Sequence, residues 1–412
     1  MEQVYERCCG LDVHKDTVVA CLRIPGEGVR RHKEVRTFGT TTAELLALGD
    51  WLLANRCTHA AMESTGIYWK PVFNLLESVC EVMLVNARHI KAVPGRKTDV
   101  KDCEWIAELL EHGLLRSSFI PPEPIRELRD VTRYRKTLIQ QRASEVNRVQ
   151  KFLETANIKL GSVATDVLGV SGRAMLEALI AGERDATKLA HLAKGTLRKK
   201  HQALVAALAG RFTQHHAFLL GQLLAHIDEL DQHIAYCDLK VDEYVRPFAR
   251  ELELLDTIPG VGRRTAEVIV AEIGIDMSRF PSAAHLASWA ALCPGNNESA
   301  GRRKSGKTRR GNHWLRTVLI ECSLAATRSR DTYLSSLYSR IARRRGGKKA
   351  AVAVAHNILI AVWHILHDQV PYQELGANHF DRLNAERLAR HYVRRLQELG
   401  LEVTVQPVGE AA

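Results

Sequence analysis

Short apolar runs and amphipathic stretches alternate over the first 118 residues. Cys8 to Val13, Thr17 to Ile24 and Val35 to Gly39 read as three strands, with Pro25-Gly26-Glu27-Gly28 as the turn between the second and third. Leu45, Leu46, Leu48, Leu52 and Leu53 give Ala43 to Asn55 helical spacing. Thr58 to Met62 predicts a fourth strand leading into Glu63. Tyr68 to Ser78 reads as a helix and Val79 to Val85 as a fifth strand. Val100 to Leu115 carries Cys103, Ile106, Ala107, Leu110 and Leu114 on one side of a helix. Three strands, helix, strand, helix, strand, helix is an α/β order, that of a mixed sheet flanked by helices.

Pro121-Pro122-Glu123-Pro124 then breaks the chain. From 125 to 250 the pattern is helical. Leu220, Leu223, Ile227, Leu230, Ile234, Cys237, Val241 and Tyr244 alternate spacings of three and four, the signature of a coiled-coil seam. An earlier stretch repeats that frame at Leu128, Val131, Leu138, Val149, Phe152 and Ala156, with Arg135, Arg142 and Glu145 at seam positions. An antiparallel helical arm is the simplest reading, and an ordinary helical subdomain the alternative. Residues 251–370 read as a further helical unit with an irregular basic loop from Cys293 to His313. Beyond Pro371 come a linker and an amphipathic helix from about Phe380 to Leu399. The expected organisation is therefore 1–120, 121–250, 251–370 and 371–412.

Composition changes the picture in one respect. Hydrophobic residues at 46% and charged residues at 25% are ordinary for a globular chain and exclude disorder. Nine cysteines without a C-x-x-C pair exclude a disulfide framework and a zinc ribbon, and point to a reducing, cytoplasmic setting. Ala350 to Leu366 is apolar, but His356, Asn357 and His364 make it a buried helix rather than a membrane span. The net charge of +11 is unevenly distributed. Residues 302–349 hold fifteen Lys/Arg against Glu321 and Asp331, so the rest of the chain sums to −2. Such a block is the footprint of a polyanion, nucleic acid before membrane, with a solvated basic face as the alternative.

Four carboxylates stand where chemistry is expected. Asp12 ends the first strand, Glu63 follows the fourth, and Asp99 and Asp102 lie three apart at the start of the following helix. In a ribonuclease-H-like sheet the first and fourth strands are neighbours and that helix crosses their ends. The four acids then converge, and oxygen ligands suit Mg²⁺ or Mn²⁺. Taken singly, Asp12 is equally a turn former, and Asp99 and Asp102 are first-turn acids favoured by the helix dipole. Pro259-Gly260-Val261-Gly262 opens a helix and resembles a helix-hairpin-helix element, whose backbone N–H groups meet a phosphate; a plain αα turn is the alternative. Gly301 to Thr308 spells G-x-x-x-x-G-K-T. No strand precedes it and Gly311-Asn312 interrupts the helix that should come next, so it is not read as a phosphate-binding loop. Ser299 and Ser305 are candidate nucleophiles, with Arg302, Arg303 and Lys304 able to stabilise developing phosphorane charge.

Together, GLDVHKD, MESTGIYW, KTDVKD, IPGVG and ALCPGNNESAGRRKSGKTRRGN-HWLR resemble the DEDD-type transposases of the insertion sequence 110/1111 family, over roughly residues 5–370 and closer to the 1111 branch. The resemblance implies a RuvC-like N-terminal domain, a coiled-coil connection and a mainly α C-terminal transposase domain. It implies a divalent-metal site at Asp12, Glu63, Asp99 and Asp102 and a nucleophilic serine that maps to Ser299. It further implies recombination of donor and target DNA through a phosphoserine intermediate, guided by a structured RNA from the element, in a bacterial cytoplasmic homo-oligomer. Expected nucleic-acid contacts are Gly260, Gly262, Arg302, Arg303, Lys304, Lys307, Arg309, Arg310, Arg343, Arg344, Arg345, Lys348 and Lys349. The rival functions are a RuvC-like nuclease using the acids alone and a non-catalytic nucleic-acid-binding protein.

Overall fold

In the first unit, residues 1–120, strands with apolar residues on both faces become the centre of a sheet. The computed structural model describes residues 3–26, 31–64, 66–86, 102–295, 297–299, 301–305, 307–309, 311–383 and 385–405. β1 (Cys8–Val13), β2 (Thr17–Pro25), β3 (Arg31–Gly39), β4 (His59–Glu63) and β5 (Glu81–Val85) form one sheet in the order β3-β2-β1-β4-β5. β2 and β3 run as an antiparallel meander from β1, whereas β4 pairs parallel to β1, and β5 to β4. β3 begins at Arg31, four residues before the expected Val35. It is an edge strand, so His32, Lys33 and Glu34 sit in the ladder with their polar side chains exposed or half-buried, and no apolar run announces them.

Three described helices cover the two faces of this sheet. Cys9, Leu11, Ala60 and Met62 face α1 (Thr42–Ala54) and α2 (Trp69–Leu76), packing with Leu45, Leu48, Leu52, Val72 and Leu76. Thr41 caps α1 by accepting from the Glu44 N–H. On the opposite face Cys8, Ala61 and Val85 meet Ile106, Leu109 and Leu110 of α3 (Asp102–Glu111). Burial pushes the Cys8 and Cys21 thiols each up to about 12, inert at neutral pH.

The second unit, residues 121–412, is helical apart from one hairpin. Pro122 is the N-cap of α4 (Glu123–Thr155) and Pro124 lies in its first turn, where no N–H is missed. The chain reaches the tip of α4, makes four short helices, and returns along α9 (Gln214–Val245). These four are α5 (Leu160–Val163), α6 (Val170–Ile180), α7 (Ala186–His191) and α8 (His201–Leu208). Their core is continuous with Val149, Leu153, Leu220, Leu224 and Ile227 of the two long helices. The long helices are antiparallel. Arg135 reaches Asp238 at 3.0 Å, and Arg142 bridges Asp231, its Nη2 at 3.0 Å from the carboxylate. Glu145 is held by Arg148 at 2.8 Å. The three polar residues at seam positions of α4 are thus all ion-paired.

α10 (Ala249–Asp256), α11 (Arg263–Ile273), α12 (Ala283–Trp289), α13 (His313–Ala326), α14 (Tyr333–Arg345) and α15 (Gly347–Asp368) complete the unit. The segments that the sequence separates at residue 250 pack against one another, because α4 carries the cations for two buried acids of α11. Arg135 donates to Glu267, and Arg133 grips Glu272 with two 2.7 Å bonds. Arg129 donates to the carbonyls of Ala271 and Glu272 at the end of α11, and burial pulls its guanidinium down to about 10. α15 is the one described helix long and apolar enough to cross a membrane. It is a core helix instead, burying Val354, Ile358, Leu359 and Val362 among α10, α12, α13 and α14. The amphipathic C-terminal segment forms α16 (His379–Leu383) and α17 (Ala385–Glu398); Phe380 stacks on Tyr333, and α17 buries nothing.

Candidate active site and nucleic-acid interface

The parallel ladder between β1 and β4 runs to Leu11 opposite Met62. Asp12 and Glu63 are the next residues on neighbouring strands, at the carboxyl ends. Both continue the face that α3 covers, since Gly10 and Ala61 precede them by two. α3 approaches that face at Gly10, where a Cβ would lie 2.2 Å from the Cys103 carbonyl oxygen and 2.4 Å from the Ala107 nitrogen. Only glycine allows this approach. It holds the first turn of α3, and so Asp102, near the end of β1.

Asp12 is one-quarter exposed and lies 3.1 Å from His14 Nε2; Glu63 is half-buried and Asp102 exposed. Among the described residues no group of three or more His, Cys, Asp or Glu is close enough to hold a metal ion. Asp99 lies outside the described residues. The donor set is nonetheless of one chemical kind: carboxylate oxygens on adjacent strand ends and an adjoining helix start, which suits a hard divalent cation.

The stretch expected to be an irregular loop contains a hairpin, β6 (Asn297–Ser299) and β7 (Arg302–Ser305). Ser299 is opposite Arg302 at its tip, two residues before Gly301 with its φ of 73°, while Ser305 is opposite Asn297 at its base. Runs of three and four residues, mostly polar, give periodicity too little length to announce a strand. At the hairpin's base, the Gly295 N–H donates to the Lys307 carbonyl, and a Cβ at 295 would stand 2.5 Å from that oxygen. Gly311 fits against Ala290 and Ala291. Asn312 caps α13 by accepting from the Leu315 N–H, and its amide donates to Glu272 at 2.6 Å. The fully buried Glu272 therefore ties the exit of the hairpin segment to Arg133 of α4. Sequence reasoning missed this residue. Its signal was a lone acid inside the apolar run Val-Ile-Val-Ala-Glu-Ile.

α10 and α11 are joined by a six-residue turn containing the two candidate glycines. They differ in circumstance. Gly260, at φ of 86°, would drive a Cβ to 2.5 Å from the Cys322 carbonyl oxygen, so packing on α13 requires it. Gly262 is the exposed N-cap of α11, with no side chain on the first N–H groups. Arg302, Lys307, Arg343, Arg344, Arg345, Lys348 and Lys349 are exposed. Exposed Arg309 donates to Ser288. The side chains of Ser299, Arg303 and Lys304, and all of Arg310, lie outside the described part of the molecule.

Residues 9–158 match a family model described as a transposase of the DEDD, IS110 type, and residues 252–339 match the transposase family IS116/IS110/IS902. An insertion element IS900 uncharacterized 42 kDa protein of Mycobacterium paratuberculosis is 30% identical over 305 residues, 67% of this chain and 73% of its own. A transposase for insertion sequence element IS1111A of Coxiella burnetii is 23% identical over 302 residues, 70% of this chain and 72% of its own. A pilin gene-inverting protein of Moraxella bovis is 28% identical over 124 residues, 29% of this chain and 38% of its own. Sharing two transposase models and these relatives, the chain belongs to the IS116/IS110/IS902 family of transposases and recombinases.

Proposed function

We propose that this transposase cuts and rejoins DNA through a phosphoserine intermediate. Its N-terminal unit is a RuvC-like, ribonuclease-H-like domain, α4 with α9 a coiled-coil arm, and α10–α11 a helix-hairpin-helix element. Asp12, Glu63, Asp99 and Asp102 hold Mg²⁺ or Mn²⁺, and a divalent cation supplies charge neutralisation at a phosphate. The observation that carries this reading is the register of β1 and β4, which makes Asp12 and Glu63 neighbours at the strand ends, with the start of α3 admitted by Gly10.

Ser299 Oγ attacks a DNA phosphorus. The Oγ–P bond forms as one phosphorus–deoxyribose oxygen bond breaks, and the serine proton leaves with the freed hydroxyl. Cations of the hairpin, Arg302 first, neutralise the added negative charge. The covalent link conserves the phosphodiester energy, so rejoining needs no nucleotide hydrolysis. A structured RNA from the element pairs with donor and target DNA, and the protein works as a homo-oligomer at the bacterial nucleoid.

Incubating the full chain with its element ends, then denaturing, tests the chemistry. Ser299→Ala is expected to bind DNA and give no protein–DNA adduct, while Ser305→Ala still does. Adduct from Ser299→Ala but not Ser305→Ala reassigns the nucleophile; free nicked product from wild type makes the protein a nuclease. Asp12→Asn and Asp102→Asn are expected to abolish strand exchange with binding retained. Full exchange in both removes the carboxylate site. Sequencing RNA that co-purifies tests the guide.

A further inference from the structure

Residues 186–227 contain no Asp or Glu, against six Lys/Arg and five His. This stretch lies at the far end of the long helices, away from the 302–349 block in sequence and in the fold. Lys194, Arg198, Lys199 and Lys200 are exposed and fall within one short segment, the extended N-cap Lys194 and the 3₁₀ helix Gly195–Lys200. Lys188 and Arg211, also exposed, flank it. Neighbouring acids are already engaged. Asp185 caps α7, and Glu183 accepts from the backbone of Arg184 and Asp185 while facing Lys188 at 3.7 Å. Among the described residues no ion pair involves Lys194, Arg198, Lys199 or Lys200. Arg198 and Lys200 donate instead to the carbonyls of Ala193 and Val163, which fixes their stems without neutralising them.

Along the shaft between the tip and the rest of the unit, by contrast, charges are paired with one another. α9 carries Asp228, Glu229, Asp231, Asp238, Asp242 and Glu243 against Lys240 alone. Its 32 residues span about 48 Å. The partner helix α4 answers the acids of α9 with eight Lys/Arg against five acids of its own, and Asp231 and Asp238 pair with Arg142 and Arg135, so one unit presents two cationic poles separated by a shaft of self-paired charge. A patch of unneutralised cations binds phosphates, and a shaft whose charges satisfy one another offers them little. A ligand engaging both poles must stay stiff over that gap, and duplex DNA, with a persistence length of ~50 nm, does so.

We propose that the helical tip, through Lys194, Arg198, Lys199 and Lys200, is a second binding surface for the phosphate backbone of duplex DNA. It lies about 48 Å, or ~14 base pairs, from the transposase end of the arm. This goes beyond the proposed chemistry, and its test reads binding rather than cleavage, so it stands or falls independently of Ser299.

The test is the full-length quadruple variant K194Q/R198Q/K199Q/K200Q against wild type, with an unchanged far-ultraviolet spectrum and melting profile as the folding control. K188Q/R211Q, which leaves the central four cations in place, is the second variant. On duplex DNA extending at least 30 base pairs on each side of an element end, the quadruple variant is expected to flatten log K against log salt by ~0.9 for each phosphate it no longer engages. Its footprint is expected to lose protection on one flank, ~14 base pairs from the centre. K188Q/R211Q is expected to keep that flank. An unchanged slope and footprint make the tip a solvated face and overturn the proposal. Lost affinity for structured RNA with duplex binding intact also overturns it, because the partner is then RNA.

Discussion

Gly10 shows how one residue decides what its neighbours can do. An alanine there would put its Cβ inside backbone atoms of α3, which cannot swing away as a side chain can. Gly10→Ala is expected to destabilise the N-terminal unit by about 1–3 kcal/mol, read as a lower denaturant midpoint at constant m. The acid two residues later was legible in the sequence, because a carboxylate ending an apolar run is conspicuous. The reason for the glycine was not, since it depends on a helix more than ninety residues away. A second residue-scale prediction concerns Cys57 and Cys80. The Cys57 thiol donates to the His59 carbonyl at 3.3 Å, and its interaction with Cys80 holds the Cys80 pKa below its ordinary value and pushes that of Cys57 up. A lower pKa means more thiolate at a given pH, so near pH 8 Cys80 is expected to alkylate before Cys8 or Cys21. Cys57→Ala removes that interaction and is expected to move the pH–rate midpoint for Cys80 upward, with peptide mapping as the readout.

Among elements, α4 illustrates both the reach and the limit of periodicity. Its apolar frame was visible, but Arg135, Arg142 and Glu145 interrupted it. Each has its partner elsewhere: Arg135 on α9 and α11, Arg142 on α9, Glu145 one turn along its own helix. Periodicity counts a charge at a seam as a fault; the structure uses two of these charges to fix register between helices. Glu272→Gln would leave Arg133 and Arg129 facing a neutral amide in a fully buried position. The expected cost is about 3 kcal/mol, the lower part of the range for a broken buried pair because the Arg133 side chain stays 33% exposed. Since Glu272 also holds Asn312, the same variant is expected to loosen the hairpin segment, seen as faster amide exchange at Leu315 and in residues 307–312. The hairpin itself escaped sequence reading because its strands are short and mostly polar. The first part of β3 escaped because an edge strand needs no apolar pattern.

Across the whole molecule, summation both reveals and hides charge. Subtracting the 302–349 block leaves −2, which suggested a single cationic region. The acids of α9 supply much of that balance and conceal the acid-free stretch at the tip. Replacing Arg343, Arg344, Arg345, Lys348 and Lys349 with Gln is expected to flatten the salt dependence of DNA affinity by ~0.9 log units for each phosphate released. Binding measured between 50 and 200 mM salt reads the slope, and an unchanged slope assigns those side chains to solvent.

The way the chain enters and leaves the tip has a further consequence. The Arg211 N–H donates to the Ala156 carbonyl and the Lys159 N–H to that of Ala207, both at 2.8 Å, so the ends of the intervening 50-odd residues are already fastened together. In terms of chain architecture the tip is an insertion, a module that can in principle be removed and its ends rejoined by a short connection. Its core, however, is shared with Val149, Leu153, Leu220, Leu224 and Ile227. Excision at residues 157–210 alone would leave those five facing water. A soluble shortened arm must therefore give up about two turns of α4 and three to four of α9 along with the module, which makes the length of the shaft and the presence of the tip a single inherited trait.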